Sequence, residues 1–442
     1  MKIFGFSICS TYQQTLKKTW ERVVRGFEKV LFSWQSRQLE TLAQRVEVTK
    51  TFALSKLYYV AQVLPLPDKQ RRQIDSNMSK FIFRGRHERL QLDELQNSYE
   101  NGGLGLPNIA VKADSLMLKQ MCRMVNLSDE KSFRLLGYWL GGFLRDTGYG
   151  DNFPELADIG PVSHTMSGAF PLHEYMRDTF IEAIGRGEVQ RNDHPVLAPA
   201  QHDAVLRVGR QAAQLAGRGD AWDHAQQQQA AQGGDAQDNI PATQRILKTV
   251  TTKAIYTSRM TDLLVPPKVE TKFPQINFQE LVYPRLQRKV LEVKQRDLMF
   301  SLTHGIYRNR ARLFEQNRVE DPLCQNPACK RENLVDDIEH IFCTCYKVRA
   351  AWSWSRRKLL SFLADRGRPP DVSNSDLLLA RYPKSRQEDE CLLLLGTYLE
   401  LVDKEVVLKQ KELMVNTLIG VLHTKTVSVR SRAVPQAHIA LP

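Results

Sequence analysis

A chain of 442 residues, 42% of them hydrophobic, can bury two or three domain-sized cores. Its formal net charge of +13 points to a polyanionic partner, nucleic acid before membrane. No apolar run reaches the length of a membrane span, and residues 1–9 carry one charge, a short apolar core and no small-residue cleavage site. The chain therefore reads as intracellular, with reduced cysteines.

Residues 3–8 form a short apolar stretch that reads as one buried strand. Leu16, Trp20, Val23, Phe27, Leu31 and Trp34 then recur every three or four residues, an amphipathic helix. A second helix is expected over 41–64, stopped by Pro65 and Pro67. A third carries Ile74, Met78, Phe81 and Ile82 on one face. Around it sit Lys69, Arg71, Arg72, Lys80, Arg84, Arg86 and Arg89. They read either as a solvated face or as a track for duplex phosphates, with Tyr58, Tyr59 and Phe83 nearby for stacking or packing. Gly102-Gly103 predicts a tight turn before a helix containing Leu116, Met117, Met121 and Met124.

The pattern weakens over 128–187, where Tyr138, Trp139, Leu140, Phe143 and Leu144 suggest one more helix. Residues 190–243, poor in large apolar side chains and rich in Gln and Gly, read as a flexible low-complexity linker. From Arg245 to Arg318, fifteen Lys and Arg face six Asp and Glu, a surplus of nine. Helices expected over 245–265 and 280–304 put Leu281, Leu286, Leu291 and Leu298 inside. Arg285, Arg288, Lys289, Lys294 and Arg296 fall largely outside. With Arg308, Arg310 and Arg312 these cations are the second candidate nucleic-acid surface, whose affinity would fall steeply with salt.

Four of the seven cysteines crowd into residues 324–345. Cys324 and Cys329 precede His340 and Cys345 in a C-x4-C, H-x4-C arrangement. Two pairs of thiolate or imidazole ligands on two short loops suit a structural Zn2+. The second pair is expected on one helical turn, and Cys343 is an alternative to Cys345 as fourth ligand. Past this box Val348, Trp352, Leu359 and Phe362 share a helix face. Leu392, Leu395, Leu399, Val402 and Val406 then form a heptad-like stripe. The stripe reads as packing back onto the zinc subdomain, with a coiled-coil dimer or a partner-docking face as alternatives.

Two stretches, about 2–125 and 295–355, resemble reverse transcriptases of non-LTR (LINE-type) retrotransposons. In the later stretch, a leucine-bearing helix ends in His304-Gly305. The Cys324 and Cys329 pair follows, then Glu339-His340-Ile341-Phe342-Cys343-Thr344-Cys345, then Trp352. In the earlier stretch the similar segments are Trp34 with Arg37 and Leu39, Leu54-Ser55-Lys56-Leu57 with Tyr59, and Leu64-Pro65-Leu66-Pro67. Lys80-Phe81-Ile82-Phe83 and Gly102-Gly103-Leu104-Gly105-Leu106-Pro107 complete it. Lys2-Ile3-Phe4-Gly5-Phe6 looks like the last strand of the family's palm. The resemblance implies that Met1 lies just past a catalytic palm and that residues 10–125 are thumb and extension.

The expected fold is mainly α: a helical thumb-like domain, a flexible linker, and a helical domain with a small zinc knuckle. The divisions are 1–127 (thumb-like), 128–189 (helical extension), 190–243 (linker), 244–318 (basic helices), 319–355 (zinc knuckle), 356–424 (C-terminal helices) and 425–442 (disordered tail). The family's palm aspartates stand in a Tyr/Phe-x-Asp-Asp hairpin. The one adjacent pair here, Asp336-Asp337, follows the thumb-like block and reads as a polar loop over the zinc site. Pro370-Asp371 offers half of a nuclease metal motif, with no Asp/Glu-x-Lys after it. By the resemblance the chain is a non-catalytic polymerase portion. Its expected partners are RNA and/or DNA and upstream polymerase and endonuclease domains, with no membrane and no small-molecule substrate. A nuclear and cytoplasmic ribonucleoprotein is the expected location. A zinc-stabilised scaffold module without nucleic-acid binding is the alternative.

Overall fold

The computed structural model describes residues 2–3, 6–85, 90–126, 171–190, 251–364, 368–408 and 412–433, with single positions at 140, 141, 144, 148 and 153. Arg86, Arg89, Tyr138, Trp139, Phe143, the linker over 191–243 and the last nine residues lie outside it. The chain is mainly α-helical, as its periodicities predict. The single strand expected over 3–8 is instead an antiparallel pair, Lys2–Ile3 against Phe6–Ser7. The chain divides into two compact units, each drawn from separate segments.

The first unit takes Met1–Val30, Phe52–Ile74 and Asn108–Leu263. Its part of the Tyr12–Gln35 helix buries Trp20, Val24 and Phe27, and the Trp20 indole donates to the Pro65 carbonyl at 2.8 Å. The Ile109–Asn126 helix packs against Ser55–Ala61, Pro171–Gly185 and Thr252–Thr261. Met117, Leu118, Met121 and Val125 meet Leu140, Leu144, Phe180 and Ile255 in its core. Buried Arg259 is held by Glu188 at 3.0 Å and by Asp114, whose carboxyl burial pushes up. The Pro171–Gly185 helix falls where the sequence pattern is weakest.

The second unit takes Leu31–Thr51, Asp75–Pro107 and Leu264–Pro442. At its centre the Glu388–Leu401 helix is buried along nearly its whole length from Cys391. A helix apolar on every side has to be enclosed. The Val293–Thr303, Arg349–Leu363 and Val415–Ala433 helices do this. Leu392, Leu395, Leu399 and Val402 are 0% exposed, so these four residues of the heptad-like stripe are interior and offer no dimer seam. Gly102 takes φ 73°, a conformation L side chains rarely adopt. A Cβ on Gly103 would strike the Asn97 carbonyl, which explains the paired glycines.

The helix expected over 280–304 is broken into Phe278–Leu281, Tyr283–Leu286 and Val293–Thr303. Pro284 has no N–H for the ladder and forces the break. The break rotates Arg285 inward: expected outside, it is 2% exposed. Its Nε donates to Glu388 Oε1 at 2.7 Å and its Nη1 to the Ala380 and Tyr382 carbonyls at 2.6 and 2.7 Å. The guanidinium stacks 4.3 Å from the Tyr382 ring. Arg285→Ala would strand the Ala380 and Tyr382 carbonyls and leave Glu388 only the exposed Arg288, so denaturant unfolding should show a loss of about 3–5 kcal/mol. Arg285→Lys should recover little of it, because one ammonium cannot make the planar fork.

Candidate metal centre

Short-range geometry builds the cluster from two loops. Asn326 caps a five-residue helix, Pro327–Arg331, accepting from the Ala328 N–H at 3.0 Å, with Pro327 at its start. The chain then folds back: the Leu334 N–H reaches the Cys329 carbonyl at 3.1 Å and the Cys324 N–H reaches the Leu334 carbonyl at 3.0 Å. Leu323 and Val335 bridge across the base. This hairpin brings Cys324 and Cys329 together.

The second pair departs from expectation. On an α-helix, residues five apart point about 140° away from each other. His340–Thr344 is instead a π turn, closed by the Cys345 N–H on the His340 carbonyl at 2.8 Å. The wider i→i+5 turn returns Cys345 to the side of His340. Asp337 fixes the start of the turn, accepting the His340 N–H at 2.7 Å.

Cys324, Cys329, His340 and Cys345 each offer one ligand atom, all within 4.8 Å of one another, and all four residues are buried. Cys343 lies outside the group, and burial pushes its thiol up. His340 Nδ1 stands 3.1 Å from Thr344 Oγ1. Nε2 is buried and leans only on the Cys345 sulfur, the orientation of an imidazole ligand beside a thiolate ligand. Hydrogen bonding from the Cys324 thiol, helped by His340, pulls Cys345 down to about 3. The same bond and burial raise Cys324. Burial raises Cys329 too, so Cys345 is the favoured thiolate of the set, a charge that suits a cation.

Beneath the turn, the Tyr398 hydroxyl donates to the Phe342 carbonyl. The Trp352 ring lies 5.3 Å from that of Tyr398, and its indole N–H reaches Asn374 at 3.0 Å. Asp336 accepts the Arg310 N–H at 3.2 Å, so both acidic residues of the loop serve local backbone groups. Thr344 and Tyr398 were not singled out in the sequence; a Thr four residues after a ligand histidine is the one signal available for the first.

The candidate nucleic-acid residues separate by exposure. Lys69, Arg72, Lys80, Arg84, Arg288, Lys289, Lys294 and Arg308 are exposed. Arg71, Arg296 and Arg310 are half-buried, Arg71 against Asp68 and Arg310 against Asp321. Arg285 and Arg312 are buried, and Arg312 is held by the Ile306 carbonyl; both are corrections to a surface role. Phe83 is buried and Tyr58 half-buried, its hydroxyl pushed up to about 12 by burial. Tyr59 keeps 53% exposure.

Elemental analysis of the purified chain should find about one metal ion per molecule. His340→Ala and Cys329→Ser should lose it and lower the Tm, whereas Cys343→Ser should keep both. Loss of the ion on Cys343→Ser would put Cys343 in the ligand set. No helix among the described residues is long and apolar enough to cross a membrane. No protein-family model matches the chain, and no curated protein matches it.

Proposed function

We propose that the chain is a non-catalytic C-terminal portion of a LINE-type reverse transcriptase, built to hold template RNA and target DNA during target-primed reverse transcription. Structural zinc at Cys324, Cys329, His340 and Cys345 fixes its distal module. Its setting would be a nuclear and cytoplasmic ribonucleoprotein, beside polymerase and endonuclease domains. The observation that carries this reading is the buried Cys3His cluster, standing where the resemblance asks for it.

Three thiolates and an imidazole favour zinc over harder ions such as calcium or magnesium. Two thiolates at about 2.3 Å from one tetrahedral ion stand about 3.8 Å apart. Cys329 and Cys345 sulfurs are 3.8 Å apart. Four protein ligands leave no open position for a reacting water, so the role assigned to zinc is structural. Exposed cations supply phosphate contacts within each unit separately, Lys69 and Arg72 in the first and Lys80, Arg84, Lys289 and Arg308 in the second, while Arg288 and Lys294 are engaged by Glu388, Asp389 and Glu40. Against the scaffold alternative stands the burial of Leu392, Leu395, Leu399 and Val402, four of the five residues of its docking stripe.

The test is binding of a fluorescent RNA hairpin and a DNA duplex across a salt series, comparing the zinc-loaded chain with His340→Ala. The expected result is affinity that falls steeply with salt and is weaker in the variant. Absence of binding at low salt, or binding indifferent to salt, overturns the reading. No primer extension is expected with Mg2+ or Mn2+.

A further inference from the structure

The sequence pattern that seats the Tyr12–Gln35 helix also leaves a second face unexplained. Trp20, Val24 and Phe27 turn into the first unit. On another side stand Lys18, Arg22, Arg25 and Lys29, spaced four, three and four residues apart, which aligns them along one face. Eleven residues of helix make a line of about 16 Å. Lys18, Arg25 and Lys29 are exposed and Arg22 is half-buried.

None of the four forms an ion pair with a described residue; the bond from Arg25 Nε, to the Glu21 carbonyl at 3.2 Å, is to neutral backbone. Other surface cations here, such as Arg71 and Arg186, do have carboxylate partners. Like charges at this spacing cost helix stability, a cost that a bound polyanion would relieve. The four line a groove of about 710 Å³, together with Ser7, Gly26 and a single carboxylate, Glu21. A Cβ on Gly26 would meet nothing within 4 Å, so the groove is open at its middle.

We propose that this stripe is a docking track for the phosphate backbone of a nucleic-acid duplex. The proposal rests on the nucleic-acid reading above and assigns it residues which that reading did not include. No aromatic ring is among the described residues lining the groove, so an unpaired base finds no stacking platform there. An anionic membrane is disfavoured as well, because an interfacial helix needs an apolar face beside its cations, and Trp20, Val24 and Phe27 are buried.

The test uses the full chain, a DNA duplex and a single strand of equal length, each titrated across a salt series. In the variant Lys18→Gln, Arg22→Gln, Arg25→Gln, Lys29→Gln, the slope of log affinity against log salt on the duplex should shrink by about 3.6, at about 0.9 per lost phosphate contact. Gln preserves helix propensity, and circular dichroism checks the fold. Gly26→Lys should add about one contact to the slope and tighten duplex binding, a gain that misfolding does not produce. Wild-type duplex binding with an unchanged slope in both variants overturns the stripe and leaves the proposed function standing. A larger loss on the single strand than on the duplex overturns the duplex assignment. Failure of the wild-type chain to bind at any salt overturns the proposed function and the stripe with it.

Discussion

A helix with no polar side to give to water governs the second unit. From Cys391 to Leu401 the Glu388–Leu401 segment places apolar groups in every direction, so other helices have to enclose it. Most of the polar groups that touch it are engaged, the buried Thr397 hydroxyl excepted. Glu388 binds Arg285, Gln295 reaches Glu400 at 3.0 Å, and Tyr398 uses its hydroxyl on the Phe342 carbonyl. Burial and hydrogen bonding therefore agree about one arrangement, and the metal loop rests on it through Tyr398.

The helices that were legible are those whose apolar face repeats without interruption. Trp20, Phe27 and Leu31 announce the first helix, and Ile74, Met78 and Ile82 announce another. Periodicity misled where one residue broke the ladder. Pro284 ends the phase that would have put Arg285 outside, and the cation then takes an interior position only a folded partner set can supply. The Pro171–Gly185 helix was illegible because its core partners, among them Met117, Leu118 and Ile255, lie far away in sequence.

The cluster was legible in its residue types and less so in its backbone. Spacing names Cys324, Cys329 and His340 outright, while the choice between Cys343 and Cys345 depends on turn geometry. A regular helix would favour Cys343, three residues on and on the face of His340; the π turn selects Cys345. Charge told least. A run of Arg and Lys has the same sequence signature whether its members pair inside the protein, as Arg285 does, or stand exposed, as Lys289 does.

The strands of chain that support the metal loop are made after it. Tyr398 and Leu413, whose N–H binds the Lys347 carbonyl at 3.0 Å, leave the ribosome some fifty residues or more behind Cys345. The second unit also waits on Leu264–Pro442 before Leu31–Thr51 and Asp75–Pro107 have anything to fold against. During synthesis the three thiols and the imidazole are thus assembled late, and in the nascent chain they stand open to oxidation and to competing soft metals. An interrupted translation product would retain the ligands without the floor that holds them in place.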